Sequence, residues 1–113
     1  MVDAPLSRFN PDVLHNRMVK LGEAWAELNA AADLMEESKK PQLSYLIVRS
    51  ELKTVAEREA SALQSPEYRM HLEAMVEARK QANIARVHYD AAKSWVEMSR
   101  SIESTRRAEM TLR

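Results

Sequence analysis

The sequence predicts an all-α protein: a long antiparallel helical hairpin, coiled-coil-like, kinked near Pro41 and assembling into a helical bundle. Three observations predict it. Asn10-Pro11 and Ser65-Pro66 each place a capping residue before a proline, the residue best tolerated at the first helical position. Tyr68, Met75, Ala78, Ala82, Ala85, Tyr89, Ala92 and Val96 form an apolar series whose steps alternate three and four from Met75 on, which is a heptad seam. Glycine occurs once in 113 residues, so little material for turns is present.

The elements follow in order. Residues 1–9 read as a flexible tail, with Phe9 placed to staple back on Val13 or Leu14. Residues 10–113 read as one helical-hairpin domain, with a first arm over 11–63, a turn at 63–66 and a second arm over 66–110. The first helix runs from Pro11 to Lys39 or Lys40 and has an apolar face of Leu14, Met18, Leu21, Trp25, Leu28, Ala32 and Met35. Gly22 costs about 1 kcal/mol against alanine and permits a close contact near Trp25. Pro41 removes a backbone bond and clashes with residue 37, so a kink falls near Ser38. No glycine, asparagine or aspartate stands there to build a reversal. Leu43, Leu46, Ile47, Leu52, Val55, Ala56, Ala60 and Leu63 then resume helical spacing. A reversal at Gln64 and Ser65 makes the arms antiparallel neighbours. Counted away from that turn, Trp95 lies level with Asp33 and Met35, and Trp25 with Glu103. Bulky residues on the first arm complement alanine on the second.

Composition narrows the function. Seventeen basic and seventeen acidic residues leave a net charge of zero, unlike a strongly basic nucleic-acid binder. The absence of cysteine excludes thiolate chemistry and cysteine-ligated metals. No apolar stretch is long enough for a membrane span, and the first residues lack the basic-then-apolar pattern of a secretory signal, so a cytoplasmic protein without a membrane partner is expected. A single glycine leaves no room for a Gly-x-Ser-x-Gly nucleophile turn or a nucleotide-binding loop. Glu67 and His71, and Glu73 and Glu77, share helix faces, but the Glu-x-x-His pattern of di-metal bundles is missing. No catalytic residue, metal site or cofactor is expected.

Two sets of residues remain. The first is a core and oligomer seam of Leu21, Trp25, Leu28, Met75, Ala78, Ala82, Ala85, Tyr89, Ala92 and Val96. Its apolar area exceeds what one alanine-rich helix can cover, which predicts a homodimer or tetramer. The second is Arg100, Arg106 and Arg107, a stripe able to track phosphates, with Glu103 placed to neutralise part of it. No asparagine or glutamine sits there to read bases, so contact would be to backbone, weak and without sequence preference. Arg79, Lys80 and Arg86 form a second basic patch.

The run Trp95-Val96-Glu97-Met98-Ser99-Arg100-Ser101-Ile102-Glu103-Ser104-Thr105-Arg106-Arg107-Ala108-Glu109-Met110 resembles the ends of small helical accessory proteins encoded by tailed phages and prophages. Such proteins often lie among replication and recombination genes. The resemblance implies accessory work, holding a partner protein or a DNA-bound assembly, and brings no site residues with it. The expected function is therefore non-enzymatic interaction or scaffolding, with another protein as a partner. The alternative is a nucleic-acid-associated accessory role through the C-terminal arginines.

Overall fold

The computed structural model describes residues 10–112. These form four helices: α1 (Pro11–Glu37), α2 (Lys39–Arg49), α3 (Val55–Leu63) and α4 (Pro66–Leu112). The expected tail over residues 1–9, with its Phe9 staple, and Arg113 lie outside the described residues.

Both proline-led starts are built from local chemistry. The first backbone N–H groups of a helix have no partner within it. At α1, Asn10 Oδ1 accepts from the N–H groups of Asp12 (3.0 Å) and Val13 (3.3 Å). At α4, Ser65 Oγ accepts from the N–H of Tyr68 at 3.2 Å and donates to the Ala62 carbonyl at 2.7 Å. Pro11 and Pro66 occupy first positions, where a missing N–H costs nothing.

Pro41 sits in the first turn of α2, where it needs no donor, but it leaves the Glu37 carbonyl without its usual partner. The helix breaks at Ser38 and does not reverse. Ser38 keeps right-handed helical angles (φ −80°, ψ −7°). Its N–H donates to the Leu34 carbonyl at 2.9 Å, and the Gln42 N–H donates to the Ser38 carbonyl at 3.0 Å. The expected kink is present, and Leu46, Ile47 and Val48 are helical.

The first arm is not a single run to residue 63. It breaks again between α2 and α3, at residues 50–54. Ser50 turns extended, and its Oγ accepts from the Leu52 N–H at 3.3 Å. Thr54 is extended as well and caps α3, its Oγ1 accepting from the Glu57 N–H at 3.1 Å. Thr54-x-x-Glu57 has the capping-box spacing. Arg58 braces the loop by donating from Nε to the Leu52 carbonyl. Helix α3 packs against α2, and Leu46, Ala62 and Tyr68 close a small core flanked by Leu43, Ile47 and Leu72.

This detour moves the register. The connection runs from Ser50 to Ser65, not over Gln64 and Ser65 alone. Arg79, rather than Trp95, lies against Asp33, and Tyr89, rather than Glu103, lies against Trp25. The displacement is roughly four helical turns.

The contacts divide the chain into two compact units. One unit, Glu27–Asn83, holds the end of α1, all of α2 and α3 and the start of α4. Ala32 and Ala82 are both 0 % exposed in it. The other unit joins residues 10–26 with residues 84–112. It buries Leu14, Ala92, Val96 and Ser99. The Trp25 and Tyr89 rings stack with centroids 5.5 Å apart, and a Cβ at Gly22 would stand 3.1 Å from Tyr89 Cε1. Gly22 is thus the place where helix meets ring without a side chain between them.

Overpacking the seam tests its tightness. Ala82→Leu should lower the free energy of unfolding in urea by about 1–3 kcal/mol. Ala74→Leu, on the exposed face of the same helix, should leave it within about 0.5 kcal/mol. Equal stability of the two variants would mean that Ala82 does not set the helix spacing.

Candidate functional site

The seam residues of α4 lie inside or at the edge of their units. Ala82, Ala92 and Val96 are buried, and Met75, Ala78, Ala85 and Tyr89 are half-buried. On α1, Leu21 and Trp25 are half-buried. Leu28 departs from its expected core place and is 38 % exposed. A straight helix drifts about 20° per heptad against a strict seven-residue repeat, so the inner position passes from Leu28 to Asn29.

Asn29 belongs to the most extensive polar cluster among the described residues. Arg79 reaches from α4 to three α1 side chains that share one face. Its Nε donates to Glu36 Oε1 at 2.8 Å, and its Nη2 to Glu36 Oε2 at 3.0 Å and Asp33 Oδ1 at 2.6 Å. Its Nη1 donates to Asn29 Oδ1 at 2.8 Å. The fork engages Glu36 with two parallel bonds, the geometry that makes arginine–carboxylate pairs strong. Hydrogen bonding to Arg79 holds the Glu36 carboxyl below its ordinary value, and the two carboxylates raise Arg79 further above the range in which it could lose a proton. Arg79 is therefore committed to α1, which takes it out of the Arg79, Lys80 and Arg86 patch. Arg86 lies 3.8 Å from Asp90, with both side chains exposed.

His71 is similarly engaged. Its Nε2–H donates to the Met35 carbonyl at 3.1 Å, tying α4 to the last turn of α1. Glu67, four residues earlier, lies 3.7 Å from Arg49 of α2. The pair that shared a face in the sequence thus serves two separate contacts. Among the described residues no group of three or more His, Asp and Glu side chains is placed to hold a metal ion.

Arg100, Arg106 and Arg107 are all exposed. Arg100 and Arg107 line a groove of about 400 Å³ with Asp12 and His15 of α1 and Glu103 of α4. Arg106 is not among its lining residues. Two guanidiniums thus share an open groove with two carboxylates, an arrangement that presents no concentrated positive field.

From residue 84 to residue 102, α4 shows three faces. Ala85, Tyr89, Ala92, Val96 and Ser99 face inward. Arg86, Asp90, Lys93, Glu97 and Arg100 make a strip of alternating sign in solvent. The third face is uncharged and exposed, and carries Ile84, Val87, Trp95, Met98 and Ile102. No described helix is long and apolar enough to cross a membrane. Comparison with protein-family models, curated proteins and solved structures finds no match.

The Arg79 cluster makes stability depend on pH. Glu36 has a depressed value in the folded chain, so its contribution is present above the ordinary value of 4.5 and is lost as pH falls through the folded value. Arg79→Met removes the cause of the depression. The wild type should melt higher than Arg79→Met at pH 7, and the gap should narrow by pH 3 in thermal circular dichroism. A gap independent of pH would show that the carboxylates contribute nothing through Arg79.

Proposed function

We propose that the chain is a non-enzymatic helical interaction and scaffolding protein that works as a homodimer or tetramer and holds another protein in a larger assembly. One observation carries this reading: the apolar residues that the helix pair does not bury. Trp95, Met98, Ile102, Ile84 and Val87 are 41–67 % exposed on one face of α4, while its inward face is rich in alanine. Contiguous exposed apolar surface marks a place where another macromolecule sits. The likeness of Trp95–Met110 to phage-encoded accessory proteins supports an assembly of that type. Sedimentation equilibrium at micromolar concentration should return a dimer or tetramer. A species that stays monomeric throughout would overturn self-association.

A nucleic-acid role is the second reading, and the shared groove of Arg100 and Arg107 favours it. Asp12 and Glu103 in the same groove oppose it. Binding through two arginines releases few counterions, so log affinity should fall against log salt with a slope of about −2. Fluorescence anisotropy of labelled oligonucleotides at low and physiological salt measures this. Arg100→Ala with Arg107→Ala should abolish the signal. Failure of the wild type to bind at low salt would remove this reading.

A further inference from the structure

The unit formed by the start of α1 and the end of α4 has two sides. One carries the groove of Asp12, His15, Arg100 and Arg107. Across the α4 seam from those arginines lie Ile84, Ala91, Trp95, Met98 and Ile102. Their steps of seven, four, three and four describe a second heptad row beside the buried one. Trp95 is 41 % and Met98 48 % exposed. Ala91, Ser94 and Ser101 are small neighbours on this face, so another helix can approach closely. Beyond the serines the face is bordered by Asp90 and Glu97.

On α1, the side turned away from Asp12 and His15 carries a shallow groove of about 470 Å³, lined by Val13, Asn16, Arg17, Lys20 and Leu21. The spacing of Val13, Asn16, Arg17 and Lys20 is that of the four-residue hole that accepts one large side chain from a facing helix. Its walls are aliphatic, including the stems of Arg17 and Lys20, and its rim is basic. The α4 face and the α1 groove therefore share one side of this unit.

We propose that a second copy of this chain covers this side, with Trp95 of each copy seated in the Val13–Leu21 groove of the other. This deepens the self-association reading above and rests on it. Gly22 and Trp25 lie opposite Tyr89, so two turns on, Arg17 stands near the level of Trp95 and Val96. A two-fold axis parallel to the helices keeps every residue at its own level. It therefore delivers Trp95 to the middle of the partner groove. It also lays Glu97 beside the basic rim of Arg17 and Lys20, while Asp90 keeps its own pairing with Arg86. Packing α4 on a second α4 about the same axis would instead set Glu97 beside its own copy, which selects the α4-on-α1 arrangement. Each contact occurs twice by symmetry, as in an isologous dimer.

The test is sedimentation velocity of the full chain across a concentration series, with far-ultraviolet circular dichroism to confirm folding. Trp95→Ala should keep the helical spectrum and weaken association at least tenfold. Lys20→Glu and Glu97→Lys should each weaken it by a similar factor, and the double variant Lys20→Glu/Glu97→Lys should recover most of the loss. That recovery reads the charge pairing even if Trp95→Ala misfolds. Wild-type association unmoved by all of these changes would overturn this interface and leave self-association standing. A wild type that never associates would overturn both.

Discussion

The close approach of two helix backbones along small residues is the constraint on which the other features depend. Ala32 and Ala82 are wholly buried in one unit, and Gly22 lies beneath the Tyr89 ring in the other. Small residues at a helix contact place it toward the short end of the usual 8–10 Å interaxial range. At that spacing the interior has little volume, and no large side chain is fully buried among the described residues. The bulky residues that the sequence supplies must then lie at the edges of the seam or outside it. Exposed apolar surface is thus a geometric consequence of the tight pairing.

A seam of alanines is weak at choosing register, because one alanine fits where another does. Register is specified here by groups that tolerate no substitute position. Arg79 finds Asn29, Asp33 and Glu36 together only at one alignment of α4 on α1. Trp25 stacks on Tyr89 only where Gly22 leaves room for the ring. Helix α3 sets the length of chain between the paired helices, and its own packing on Leu46 and Tyr68 holds that length constant. The polar cluster is exposed enough to be modest in energy, and its geometric demand is what matters.

The distribution of chemistry along α4 links this architecture to function. Its three faces separate what is buried, what is charged and what is apolar but exposed. The charged strip alternates in sign, and the groove with Arg100 and Arg107 balances cations with carboxylates. The third face carries no charge, and Ile84, Val87, Trp95, Met98 and Ile102 are partly exposed on it.

Several features could be read from the residues alone. Asn10-Pro11 and Ser65-Pro66 start helices because caps and proline act within one turn. Pro41 breaks a helix because the missing N–H is a property of the residue. The seam from Tyr68 to Val96 follows from the helical period. The break before α3 was also present in Thr54-x-x-Glu57, but the continuing apolar spacing from Leu43 to Leu63 concealed it. Other features were not local. That Leu28 yields its place to Asn29, that Arg79 spends its charge on α1, and that Tyr89 meets Trp25 all depend on which turn of one helix stands opposite which turn of another. The sequence by itself determined the helices and their inward faces, since these arise from interactions a few residues apart. The tertiary structure decided their alignment within each unit, because contacts such as Arg79 with Asp33 and Trp25 with Tyr89 join residues far apart in the sequence.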